Sequence, residues 1–161
     1  HPRTNRHDES KQHQVIHRIV GKFLKDSAAI RNRVGSRIYL ERVPQDAPGG
    51  ERLVISKISG ERFYTLDNEA DATNAVMEVA CYADDPTRAE SLWDLVRNRL
   101  SGYHGEVTYL SNGSDATTWI SSTIIRDGME VTDPNDASDK WKFGYSGDFS
   151  IYYTQAVPDH A

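Results

Sequence analysis

The stretch from 142 to 154, "KFGYSGDFSIYYT", leaves this chain the fewest folding options. Phe143, Tyr145, Phe149, Ile151 and Tyr153 alternate with Lys142, Asp148, Ser150 and Thr154. Successive side chains of a strand point to opposite faces, so this spacing makes one apolar face and one polar face. The fold must therefore contain a sheet with one face covered. A candidate cover lies near the N-terminus. Val15, Ile16, Ile19, Val20, Phe23 and Leu24 form one helical stripe, with Arg18, Lys22 and Lys25 opposite it.

The remaining elements follow from their punctuation. Residues 1–11, "HPRTNRHDESK", lack apolar periodicity and are read as a flexible N-terminal arm. Ser27 is placed to cap a second short helix through Val34, with Gly35 as its stop. Strands are expected at 37–42, 52–59 and 74–83, where Ala75, Met77, Val79 and Cys81 share a face. The 52–59 strand is expected to be central or near-central, held by Leu53, Val54, Ile55 and Ile58. Asp85-Pro86 opens a helix lined by Ala89, Leu92, Trp93, Val96 and Leu100, and Gly102 closes it. A turn-rich stretch leads to a strand at 116–126, then a polar loop at 127–141 and the strand at 142–154. The order α-β-β-β-α-β-β predicts an α+β fold. Its sheet is largely antiparallel or mixed, of about five strands, with two main helices packed on one face. A single domain spans 12–156, and 157–161 form a C-terminal tail.

Bulk properties exclude several classes. The 161 residues suit one domain. No apolar stretch approaches the roughly 20 residues needed to span a bilayer. No apolar h-region follows the basic N-terminus, so no secretory signal is expected. Cys81 is the single cysteine, which rules out an internal disulfide, and its apolar surroundings predict a buried structural thiol. The net charge of −5 hides an asymmetry. Residues 1–42 hold 10 Lys/Arg against 4 Asp/Glu, whereas residues 43–161 hold 9 against 20. One pole is basic and the body is acidic, which suits stacking or ring-closing contacts. An acidic body argues against a dedicated nucleic-acid binder, which needs a concentrated basic face.

His13 and His17 stand four apart on a helix, but Gln14, Val15 and Ile16 between them supply no carboxylate, so a solvated polar face is preferred to a metal site. "GGER" and "GYSGDFS" lack the Lys-Ser/Thr of a phosphate loop, and there is no G-x-S-x-G elbow. Acidic clusters at 67–71 and 133–139 suit an acid/base pair or a loose metal site, but a solvated acidic loop is preferred. Trp93 is expected in the core. Trp119, Trp141, Tyr64, Tyr103 and Tyr152 are open between core and interface.

Two Gly-Glu-Arg triplets, at 50–52 and 60–62, bracket the 52–59 strand. Their Glu and Arg are expected to stay wet or to pair across a subunit boundary. Aromatic and acidic residues follow, in "FYTLDNEADA". This composition suggests a docking surface, with Arg62 and Tyr64 its preferred contacts. The interface candidates are Arg42, Arg52, Glu61, Arg62, Phe63, Tyr64, Asp67, Glu69 and Trp141.

Four landmarks in succession carry a resemblance: Gly35 to Tyr39 ("GSRIY"), Ser59 to Tyr64 ("SGERFY"), Val79 to Ala83 ("VACYA") running into a helix, and Asp148 to Tyr153 ("DFSIYY"). Their order and spacing resemble the tail-completion, or tail-terminator, family of long-tailed bacteriophages and related phage-like particles. The resemblance spans roughly 15–156; the N-terminal arm and the 127–141 loop match no motif. It implies a non-enzymatic virion protein without cofactor or metal, assembled in the host cytoplasm and placed in the tail-neck region. Such a protein forms a ring, usually hexameric, on the head-proximal end of the tail tube and ends tube polymerisation. Its implied partners are itself, the major tail tube protein and a head-completion or stopper protein of the neck. DNA crosses the lumen without sequence recognition, and no membrane is involved. A head-completion adaptor or connector is the alternative within the neck. An enzyme using the 67–71 acids or His13 and His17 is the alternative outside it.

Overall fold

In the computed structural model, which describes residues 15–62, 72–132 and 143–154, the alternating C-terminal stretch forms β6 (Phe143–Thr154) at the centre of a sheet. It pairs on one side with β3 (Ala72–Ala83) and on the other with β5 (Ser114–Thr132). Outside β3 lies β2 (Arg52–Arg62), then the short β1 (Ile38–Leu40); outside β5 lies β4 (His104–Ser111). The order is β1-β2-β3-β6-β5-β4. Every pairing is antiparallel except β1 with β2, so the sheet is mixed. Helix α1 covers residues 15–25, α2 is Ala28–Val34 and α3 is Pro86–Leu100.

The helix boundaries follow from capping chemistry. Ser27 Oγ accepts from the Ile30 N–H at 3.4 Å, and Gly35, with φ of 58°, ends α2 by donating its N–H to the Arg31 carbonyl. Asp85 accepts from the Arg88 N–H at 2.9 Å, with Pro86 in the first turn of α3.

All three helices bury their apolar stripes on the same sheet face. Ile16, Ile19, Val20 and Leu24 of α1, Ile30 and Val34 of α2, and Leu92, Val96 and Leu100 of α3 are fully buried. They share one cluster with Leu53, Ile55, Ala75, Met77, Val79, Cys81, Ile120, Phe149 and Ile151 of the sheet. Burial holds the Cys81 thiol far above its ordinary value, so it stays protonated and unreactive.

The α+β class stands, but among the described residues the sheet has six strands rather than about five and there are three helices rather than two main ones. The added strand is β4, in a stretch that reads as turns. Only Val107 of β4 is buried, because the strand lies at the sheet edge, and one buried residue leaves little periodicity. The sharper clue is Asn112-Gly113. Both residues have positive φ (51° and 81°), which suits a tight hairpin turn and joins β4 to β5. The expected 127–141 loop also shrinks, because β5 continues to Thr132. Register shifts between Ile124 and Arg126 and between Arg126 and Met129 break its period of two. Strand β2 lies one strand in from the edge, and a shift between Lys57 and Ser59 leaves Ile58 54% exposed. Its anchors are Leu53 and Ile55, with Val54 half-buried.

Trp93 explains a gap in the apolar row of β6. Gly147 occupies the position between Tyr145 and Phe149, and a Cβ there would stand 2.2 Å from Trp93 Cη2 and 2.7 Å from the Arg126 carbonyl oxygen. A Cβ on Gly128 would stand 2.3 Å from Trp93 Nε1. The indole therefore rests on bare backbone of β5 and β6, beside Phe149 at 5.6 Å between ring centroids. Its Nε1–H donates to Asp127 Oδ1 at 3.2 Å. Gly147→Ala is expected to destabilise the fold by roughly 1–3 kcal/mol through overpacking. Urea unfolding of Gly147→Ala, Trp93→Leu and the double variant checks this. The two losses should be partly non-additive, because the smaller Leu relieves the clash with the indole but not the one with the Arg126 carbonyl.

Candidate docking surface

The first Gly-Glu-Arg triplet is an interior hub and not a wet turn. Gly50 has φ of 134°, and a Cβ there would stand 2.4 Å from Arg37 Nε. Glycine thus lets the Arg37 guanidinium pass, and its Nε donates to the Glu51 carbonyl at 2.9 Å. The Glu51 carboxylate is buried and accepts from two arginines. Arg33 of α2 holds it at 3.1 Å through Nε and again through Nη2, and Arg88 of α3 holds it at 3.2 and 3.0 Å. Arg33 also donates to Ser91 Oγ at 2.6 Å and to the Arg88 carbonyl at 2.9 Å. One carboxylate thereby ties α2, the start of β2 and the first turn of α3. Burial pushes the Glu51 carboxyl up, but hydrogen bonds and charge from Arg33 and Arg88 outweigh it, leaving the group below its ordinary value.

The sequence-predicted interface residues separate accordingly. Arg52 is only 7% exposed, with its guanidinium carbon 5.8 Å from the Tyr82 ring centroid, so the chain itself covers most of this candidate contact. Arg42 is exposed just after β1. Glu61 and Arg62 close β2, in register with Asn74 and Thr73. Phe63, Tyr64, Asp67, Glu69 and Trp141 lie outside the described residues, as do His13 and the acidic clusters at 67–71 and 133–139. Among the aromatics, Trp93 is buried as expected, and Tyr103 packs on Phe23 at 4.3 Å. Trp119 and Tyr152 are exposed, with the His104 ring edge-on to Trp119 at 3.9 Å.

His17 corrects another expectation. It is 4% exposed, not solvated, and its Nε2 bonds the Glu41 carboxylate. Glu41 has φ of 72° and also accepts from the Lys57 N–H at 2.9 Å, so the pair closes the seam between α1 and the β1–β2 pair. No group of three His, Cys, Asp or Glu side chains is placed to hold a metal among the described residues.

Two charged features were invisible in one dimension. On the sheet face away from the helices, Arg126 grips Asp148 with both arms of its guanidinium, at 2.9 and 3.1 Å, and donates to Ser146 O and Oγ at 3.1 and 3.0 Å. Glu78 stands opposite Asp148, 3.5 Å from Arg126. Burial, then repulsion from Asp148, raises the Glu78 carboxyl despite Arg126. Arginine and carboxylates satisfy one another there, which suits a structural staple across β3, β6 and β5.

The second feature is a groove of about 260 Å³ beside α1. Gly21, Ile38, Leu40 and Leu110 give it apolar walls, and Arg18, Lys22 and Lys25 give it cations. Leu40 belongs to β1 and Leu110 to β4, the opposite edges of the sheet. The sheet therefore curls until its two edges border one groove. Leu40 and Leu110 remain 40% and 60% exposed. Lys22 pairs with Asp26; among the described residues neither Arg18 nor Lys25 is paired with a carboxylate. The i, i+4 rhythm of basic residues on α1 signals the cations, but only the sheet's curl brings Leu110 beside them. Comparison with protein-family models and with curated proteins finds no match to this chain.

The hub generates a pH prediction. Glu51→Gln is expected to cost roughly 1.5–3 kcal/mol near neutral pH, the range for hydrogen bonds to charged groups. The folded-state value is depressed, so the unfolded chain takes up this proton first as pH falls. The contribution is present above the ordinary carboxylate value of about 4.3 and is lost as pH falls through the lower folded value. Urea midpoints of wild type and Glu51→Gln, measured from neutral pH downward, should converge in that acid window.

Proposed function

We propose that this chain is a structural subunit that closes head-to-tail into a ring, the terminator of a phage-type tail tube. The observation that carries this reading is the curled sheet with unlike surfaces. A groove between its two edges carries exposed leucines and a basic helix, whereas the rest of the chain holds the acidic excess. A contact between unlike surfaces of identical copies is heterologous, and it closes into a ring when the rotation allows. The four sequence landmarks support the same reading, and three of them map onto β1, β3 and β6. Two carboxylates, one buried and one half-buried, favour it over an enzyme. Glu51 is held by Arg33 and Arg88, and Asp148 by Arg126, so both carboxylates brace the fold.

In this role the ring sits on the head-proximal end of the tube in the virion's tail-neck region, after assembly in the host cytoplasm. A second copy, the tail tube protein and a head-completion protein are its partners. DNA passes through the lumen without base-specific contacts, and no cofactor takes part. Electron micrographs of particles lacking the protein test this. Tails of irregular, excessive length that fail to join heads are expected. Tails of normal length joined to heads would contradict the reading, and a position against the portal would favour a head-completion adaptor.

A further inference from the structure

The geometry points to the groove between β1 and β4 as the seat for residues 63–71 of a second copy, an inference that rests on the ring reading. The groove has two chemical demands. Ile38, Leu40 and Leu110 ask for apolar side chains; Arg18 and Lys25 ask for carboxylates within reach, and Lys22, paired with Asp26 at the surface, adds its charge beside them. The segment "FYTLDNEAD" meets both: Phe63, Tyr64 and Leu66 come first, and Asp67, Glu69 and Asp71 follow without any Lys or Arg. The other chain segments outside the described residues meet them less well. Residues 1–14 carry three basic residues, and 133–142 set Lys140 and Lys142 beside Trp141.

Position supports the same pairing. The segment links the end of β2 at Arg62 to the start of β3 at Ala72, and these two strands pair with each other. The groove is bordered by two edge strands, and unpaired backbone groups on such edges attract an extended peptide. Exposed leucines on both edges add an apolar driving force that charge alone lacks. Each copy thus carries one groove bordered by β1 and β4 and one aromatic, acidic segment between β2 and β3. Such a pair of unlike surfaces can repeat from copy to copy without being self-complementary.

The test uses the full chain and a fluorescent peptide spanning 62–72, read by anisotropy at low and high salt. The peptide is expected to bind and to weaken as salt rises. Lys22→Glu with Lys25→Glu should weaken it about tenfold or more, while both exposed sites leave the unfolding midpoint near that of wild type. A peptide with Ser in place of Phe63, Tyr64 and Leu66 should also lose binding. Equal binding of that peptide, or binding unchanged by the lysine reversal, overturns the assignment. A chain with residues 63–71 replaced by a Gly-Ser linker separates self-occupancy. If the peptide binds only this chain, and wild type stays monomeric at every concentration, the segment fills its own groove and the second-copy assignment is wrong. Rings that persist in the lysine-reversed chain overturn the groove while sparing the ring reading. Peptide binding without rings on tube ends does the reverse.

Discussion

The seating of Trp93 on the bare backbone of Gly128 and Gly147 governs how the rest of the molecule is arranged. An indole is too large to sit that close to a sheet carrying side chains, and either Cβ would fall within 2.3 Å of it. With both positions empty, α3 lies low across β5 and β6. The irregular register of β5 between Ile124 and Met129 falls beside this contact, and Asp127 there accepts from both Trp93 and Arg97. Such irregularities bend a strand and increase its twist. Bending here, with the Arg126–Asp148 grip on the opposite face, fits a sheet that curls toward its helices. The curl in turn brings the β1 and β4 edges to one groove.

Much of this architecture was legible in the chain. The stripe of α1, the caps Ser27 and Asp85, and the faces of β3 and β6 all follow local rules, because each residue's role is settled within one or two turns of its neighbours. Features that depend on distant partners were not legible. Edge strand β4 buries one residue and so carries almost no alternation. Gly147 leaves an unexplained gap in the apolar row of its strand until Trp93 is placed over it. Glu51 reads as a wet turn residue until Arg33 and Arg88 arrive from two helices. His17 reads as part of a solvated face until Glu41 meets it across a seam. The groove belongs to the same class, since Leu110 stands 70 positions after Leu40 and meets it only through the curl.

The charged groups divide into those the fold consumes and those it leaves for contacts. Glu51, Asp148, Arg33 and Arg126 are bound in hydrogen-bonded clusters that join elements. Arg18, Lys22 and Lys25 line a groove with leucines partly open to water. A surface combining cations with unsatisfied apolar area suits assembly better than catalysis, because apolar burial supplies affinity and charge supplies register. The acidic excess beyond residue 42 provides the complement within the same chain.

A cryo-electron microscopy reconstruction of the assembled oligomer addresses the central claim most directly, namely that unlike surfaces of one chain meet head-to-tail. The account predicts a closed ring in which the groove beside α1 of each copy is filled by residues 63–71 of its neighbour. A two-fold dimer joined by identical patches, or a ring with that groove open to solvent, would contradict it.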